Sequence, residues 1–286
     1  MRPLLVLLLG ATLVGCRHTS DADHDSSGAD DPAEMRHQHD GDTPVASGAA
    51  DGADALDVIE TRVRYATVAG QVVEGVLVKP AGVAEPLPGV IVIHEWWGLN
   101  DNVVAMARKV AAEGYTALAV DLYDGASAET PDQAMNLMQS AMGHPANLLD
   151  NLRQAYGYLS DAQGASRVAS LGWCFGGGWS LRTALALPTE LSGAVVYYGQ
   201  PVTDPAMLRT LQMPVLALFG GADTSIPADT VAAFERALDA AGVQNTVVTY
   251  PGAAHAFANP SGGRYDAEAA TDAWARTTAF LADVLR

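Results

Sequence analysis

Residues 172–176 read Gly-Trp-Cys-Phe-Gly, and two more glycines, Gly177 and Gly178, follow at once. A thiol with glycine two positions before and after it fits a strand-to-helix turn so tight that a side chain at either flank would collide. Such a turn sets its central residue at a helix N-terminus, where backbone N–H groups and the helix dipole favour a thiolate. Three consecutive glycines would weaken a plain helix by about 1 kcal/mol each relative to alanine. Two further polar residues stand just past apolar runs: Asp223 after "VLALFG" and His255 after "NTVVTYPGAA". Together they suit attack of a thiolate on a carbonyl carbon, with an imidazole moving protons and a carboxylate holding the imidazole. Taken singly, each has a plainer explanation. Cys174 could be an inert thiol in a glycine-rich turn, and His255 a locally satisfied loop histidine. Asp223 could cap a helix, although Thr224, Ser225 and Asp229 stand nearer that role. Three such residues at strand ends, in this order, favour the catalytic reading.

The elements that must position them are visible from residue 58 onward. "VIETRVRYATVAGQVVEGVLVKP" reads as two alternating strands around Ala69-Gly70, a hairpin. "GVIVIHE" and "TALAVDLY" are continuous apolar runs, the mark of strands buried on both faces. Helical spacing spans about 101–113, "PDQAMNLMQSAM" and "NLLDNLRQAYGYLSDA". Then come strand "VASLGW", helix "GGWSLRTALAL", strands "SGAVVYYG" and "PVLALFG", helix "ADTVAAFERALDAAG", strand "NTVVTYPG" and a last helix over about 266–285. Strands alternating with helices predict an α/β fold: a mostly parallel, doubly wound sheet covered by helices on both faces. Ligands in such folds bind beyond the carboxyl ends of the strands. The residues there are His94, Glu95, Trp96 and Trp97, then Asp121, Leu122 and Tyr123, then Cys174, Tyr198, Gly199, Asp223 and His255.

The motifs "GWCFGG", "IHEWWGLND", "AVDLYDG", "LFGGAD" and "GAAHAFAN", in one chain and in this order, resemble those of the dienelactone hydrolase family of α/β-hydrolases. The resemblance runs over about 58–286. It implies the α/β-hydrolase fold and hydrolysis of carboxylic esters or lactones through a thioester, with Cys174, Asp223 and His255 as the triad. Glu95 matches the glutamate that contacts the nucleophile and helps to deprotonate it. The backbone N–H groups of Trp96 and Phe175 match the oxyanion hole. The plainer reading of Glu95 is a strand-end acid paired with Arg62 or Arg64. The family's carboxylate-binding arginines have no counterpart: Asp124-Gly125 follow the "DLY" element, and Asn259, which cannot ion-pair with an anion, stands four residues after the histidine. Arg264 is a candidate to reach the site instead. The scaffold and triad are thus expected to transfer, and the dienelactone substrate is not. Trp96, Trp97, Tyr123 and Phe257 are candidates for an apolar pocket around a small ester or lactone, with core packing as their other reading.

Composition narrows the partners. The 286 residues carry 33 acids against 16 Lys and Arg, a formal charge of −17. Phosphate backbones need clustered cations, so nucleic acid is excluded as an expectation. No pattern calls for a metal or an organic cofactor. "MRPLLVLLLGATLVGC" has an arginine, an apolar run too short to span a bilayer, and a "LVGC" ending. It is expected to be a lipoprotein-type signal peptide over 1–16 with Cys16 lipidated, leaving the chain tethered by lipid in the bacterial envelope and facing the periplasm. Residues 17–57 hold eleven acids, two arginines and four histidines, and almost no large apolar side chains. They read as a disordered acidic linker, with metal binding by the histidines as the lesser alternative. Residues 58–286 then form the one ordered domain. Two rival functions are a glutamine-amide transferase, which also uses G-x-C-x-G, and a non-catalytic envelope lipoprotein that binds ligands on a hydrolase scaffold. The first expects a glutamate two residues after the histidine, where Phe257 stands. The second has no need of the Cys174, Asp223 and His255 constellation.

Overall fold

The computed structural model describes Pro44, residues 57–84 and residues 86–286. The predicted signal peptide, the Cys16 lipidation site and nearly all of the linker lie outside the described residues.

The hairpin forms where the alternation predicts it. Strands β1 (Val58–Val68) and β2 (Gln71–Pro80) pair antiparallel from Val58 opposite Pro80 to Val68 opposite Gln71. Ala69 and Gly70 turn the chain at φ 48° and 82°, the two left-handed residues that match the natural twist of a tight hairpin. The buried runs become β3 (Gly89–Ile93), β4 (Thr116–Val120), β5 (Val168–Trp173), β6 (Gly193–Tyr197) and β7 (Val215–Gly220). Strand β8 (Asn245–Tyr250) closes the far edge and is partly exposed. The sheet order is β1-β2-β4-β3-β5-β6-β7-β8. All neighbours from β4 to β8 are parallel, and β2 meets β4 antiparallel.

Two apolar layers bury the sheet, and successive residues of one strand feed opposite layers. Ile91, Ile93, Leu118 and Val120 join the core beneath α2 (Pro131–Met142), α3 (Pro145–Gly157), α4 (Phe175–Ala186) and α6 (Ala228–Ala241). Val90, Val92, Ala117 and Ala119 join the core beneath α1 (Asp101–Ala112) and α7 (Ala267–Leu285). That two-sided burial is why these strands carry no polar alternation.

Helix starts follow their caps. Asn100 accepts the Val103 N–H ahead of α1, Thr130 accepts the Gln133 N–H ahead of α2, and Asp266 accepts two N–H groups ahead of α7. Two details differ from the sequence pattern. The helix expected to run through residue 162 is α-helical only to Gly157 and ends in a π-helical turn, Tyr158–Ala162. The short helix α5 (Pro205–Leu208), capped by Asp204, carries too few residues for any periodicity to reveal it.

Candidate active site

The parallel strands deliver their carboxyl ends to one edge, and Cys174 stands at the end of β5. Its backbone sits at φ 53° and ψ −118°, a region that costs a non-glycine residue of the order of 1–3 kcal/mol. The surroundings enforce it. Its N–H donates to the Tyr197 carbonyl at 3.0 Å, and its carbonyl accepts the Gly178 N–H at 3.1 Å. The glycines are explained by backbone meeting backbone. A Cβ on Gly172 would overlap the Gly176 carbonyl, and one on Gly176 would overlap the carbonyl oxygens of Ile93 and His94. Only glycine lets α4 descend onto β3 and β5 this closely. Cys174 is thereby fixed as the residue before the first turn of α4, buried at 5% exposure.

His255 and Asp223 arrive from the loops after β8 and β7. The His255 Nε2 lies 3.2 Å from the Cys174 Sγ, and its Nδ1 lies 2.8 Å from the Asp223 Oδ2. The other Asp223 oxygen, Oδ1, accepts the N–H groups of Ser225 at 2.8 Å and Ile226 at 3.1 Å. The carboxylate therefore holds its own loop and the imidazole together. Thr224, Ser225 and Asp229, the nearer cap candidates, do not cap α6: its N-cap is Pro227, with no side-chain cap. All three groups are buried. Burial alone would push the imidazole pKa down; the negative charges of Cys174 and Asp223 outweigh it and raise the pKa to about 10. The arrangement thus favours an imidazolium beside a thiolate. Ala256, at φ 60°, bends the chain directly after the histidine, and Arg264 Nε donates to the His255 carbonyl at 3.0 Å. Arg264, considered above for substrate contact, gives this hydrogen bond to the histidine loop.

Glu95 follows β3, half-buried, and its partners are not the arginines considered above. Arg64 pairs with Glu74 at 3.2 Å. The Glu95 Oε2 accepts the Asn259 amide at 2.6 Å, and its Oε1 accepts the Tyr198 hydroxyl at 3.3 Å. Asn259, which cannot ion-pair, thus serves an anion through a hydrogen bond. The chain of bonds continues outward. Asn259 Oδ1 accepts the Ser261 hydroxyl at 2.6 Å and its N–H at 2.9 Å, and Ser261 Oγ accepts the Asn102 amide at 2.7 Å. Tyr198 is enclosed at φ 34°, with its ring edge-on to His255 at 5.3 Å. Beside this network lies a small, open apolar cleft with room of about 30 Å³, lined by Glu95, Val103, Met106, Trp173, Tyr198 and Pro260 among others.

Tyr198 and Asn259 are site residues to which the sequence pattern gives no role. A strand-end position was the available signal for Tyr198; Asn259 had only its spacing from His255. His94 is structural. Its Nε2 accepts the Leu122 N–H at 3.1 Å, which leaves the proton on Nδ1 to donate to the Glu95 carbonyl at 2.5 Å. Burial lowers its pKa, so it ties the ends of β3 and β4 together as a neutral ring.

The aromatic residues divide. Trp96 and Trp97 are buried against each other at 5.0 Å between ring centroids. Phe257 is fully enclosed among Tyr197, Tyr198 and Tyr250, a core residue rather than an open pocket wall. Tyr123 packs on Phe175 at 5.5 Å and on His94 at 4.7 Å.

An eight-stranded, mostly parallel sheet carrying cysteine, aspartate and histidine in this order at its strand ends is the α/β-hydrolase architecture. The model of the dienelactone hydrolase family matches residues 73–285. A carboxymethylenebutenolidase-named protein of Saccharolobus solfataricus is 33% identical over 239 residues, covering 68% of this chain and 89% of its own. The protein usf of Aquifex pyrophilus is 33% identical over 205 residues, covering 69% and 89%. Among solved structures, a dienelactone hydrolase of Klebsiella pneumoniae superposes with a TM-score of 0.71 at 30% identity, over 79% of this chain and 98% of that one. A dienelactone hydrolase-like promiscuous phosphotriesterase from metagenomic libraries gives 0.74 at 25% identity, over 80% and 100%. The chain belongs to the dienelactone hydrolase family, whose members are carboxylic ester hydrolases.

Proposed function

We propose that the chain cleaves carboxylic esters or lactones with Cys174 as nucleophile, His255 as base and acid, and Asp223 as the group that orients the imidazole. The observation that carries this reading is the position of His255, 3.2 Å from the sulfur and 2.8 Å from the carboxylate. The thiolate Sγ forms a bond to the carbonyl carbon, and the carbonyl π pair moves onto oxygen. The backbone N–H groups of Trp96 and Phe175 stabilise that oxyanion. Its collapse expels the alcohol, which takes a proton from His255, and a thioester remains. Water then attacks the thioester, gives a proton to His255 and releases the acid with the thiolate restored. Glu95 assists by drawing the proton from any Cys174 still in the thiol form when substrate enters, and returns it as the product leaves. The small apolar cleft beside Glu95 suits an uncharged acyl or alcohol group.

Cys174→Ala is expected to abolish hydrolysis of p-nitrophenyl acetate while leaving the circular dichroism spectrum and thermal midpoint close to wild type. Undiminished turnover in that variant would rule the mechanism out. For location, we propose a lipid anchor at Cys16, on the strength of the "LVGC" ending alone. In cell fractionation, Cys16→Ser should move the protein from the membrane to the soluble fraction; a distribution identical to wild type would remove the anchor.

A further inference from the structure

Tyr123 follows β4, aimed by a turn in which Asp121 accepts the N–H groups of Tyr123, at 2.8 Å, and Gly125. Its side chain is 6% exposed and its hydroxyl is buried, with no hydrogen-bond partner among the described residues. Three other enclosed tyrosines of this molecule spend theirs. Tyr65 pairs with Asn151 at 2.6 Å, Tyr197 with Thr277 at 2.6 Å and Tyr198 with Glu95 at 3.3 Å. A buried hydroxyl left unmatched is a net cost to the fold and calls for a reason.

The location supplies the reason. The ring of Tyr123 is packed between Phe175, whose N–H is one proposed oxyanion donor, and His94, two residues before Trp96, the other. The hydroxyl also lies within electrostatic reach of the nucleophile. Its ionisation is opposed first by burial, then by the charge on Cys174, and then by Asp121. It is therefore a neutral O–H donor at any working pH, within electrostatic reach of the sulfur and without a partner among the described residues.

Building on the cysteine-hydrolase reading above, we infer that Tyr123 is a third oxyanion donor, whose partner arrives with the substrate. When the Cys174 sulfur bonds to the carbonyl carbon, the displaced electron pair settles on oxygen. The Tyr123 O–H then hydrogen-bonds that oxygen beside the two backbone N–H groups and keeps its own proton throughout. The interaction is absent in the ground state and present in the transition state, so it acts on kcat rather than on KM.

The test is Tyr123→Phe in the full chain, which removes one oxygen atom, with Cys174→Ala measured alongside. Steady-state kinetics on p-nitrophenyl esters should show kcat lower by about 10²-fold, in the range for loss of one oxyanion donor, with KM within about twofold of wild type. Affinity for an aldehyde analogue, which forms a hemithioacetal with Cys174, should fall by a similar factor. The thermal midpoint should hold or rise, because an unmatched polar group has been replaced by an apolar one. A kcat within twofold of wild type overturns the inference, and so does a loss of kcat that comes with a lowered thermal midpoint, the signature of a structural hydroxyl. If Cys174→Ala retains activity, the cysteine mechanism itself fails; if Cys174→Ala is inactive and Tyr123→Phe is not impaired, only the role of Tyr123 fails.

Discussion

Cys174 and Glu95 stand at the ends of paired strands, β5 and β3, and are held in opposite ways. Around Cys174 the constraints are main chain against main chain: a left-handed φ, an N–H tied to β6, and glycines that leave no room for adjustment. His255 and Asp223 complete it with short bonds in a buried setting. Around Glu95 the constraints are side chain to side chain, through half-buried Asn259, Ser261 and Asn102. The first region is rigid because any shift would break packing. The second can rearrange by turning a few χ angles. The nucleophile proposed for Cys174 needs fixed geometry, whereas the carboxylate proposed to take up a proton as substrate enters needs freedom to respond. If that division is real, damage to the backbone-built half should be large and damage to the side-chain-built half graded.

The largest expected effect in this comparison comes from Asp223→Asn. The amide oxygen can still accept from Ser225 and Ile226, so the loop survives. The amide nitrogen would face the His255 Nδ1 and force the wrong tautomer, lowering kcat by about 10³- to 10⁴-fold. A pH series on the same variant sharpens the point. In the wild type the imidazole pKa is raised above its ordinary value of 6.5 to about 10 by Cys174 and Asp223. Its stabilising contribution is therefore complete below about pH 6.5 and fades as pH climbs through about 10. Thermal midpoints measured from pH 6 to 11 should fall for the wild type and stay flatter for Asp223→Asn. Parallel curves would mean that the charged pair does not form.

The same contrast separates what the sequence discloses from what it hides. The Gly172-to-Gly176 spacing, the buried runs and the order Cys174, Asp223, His255 are legible because each reflects a local need: a tight turn, a strand shielded on both faces, a polar residue at a strand end. The partners of Glu95 lie 103 and 164 residues away in the chain, and no local pattern connects them. For that reason the plain reading of Glu95 pairs it with Arg62 or Arg64, although Arg64 is taken by Glu74. Phe257 follows the same logic. Its position after a strand end suits a pocket, and only the crowd of Tyr197, Tyr198 and Tyr250 around it reveals core packing. The unmatched hydroxyl of Tyr123 is a further case, since a missing partner leaves no trace in composition or spacing.

The side-chain-built half should fail by degrees, and two substitutions test this. Asn259→Ala removes a hydrogen bond to a charged group, an interaction worth about 1.5–3 kcal/mol, so kcat/KM should drop by roughly tenfold to a hundredfold. Ser261→Ala leaves that bond in place and removes only the support behind it, the hydroxyl that bonds Asn259 Oδ1 and links it to Asn102. The Ser261 N–H still holds the same oxygen at 2.9 Å, so the amide keeps its orientation and the expected loss is about threefold or less. The double variant decides how the network works. If the Ser261 hydroxyl acts only by orienting Asn259, Ser261→Ala should cost nothing further once Asn259 is alanine. If the two losses multiply instead, the serine serves the 256–266 loop as a whole. Glu95 would then be controlled by the same backbone that carries His255, and the distinction between the two halves of the site would dissolve.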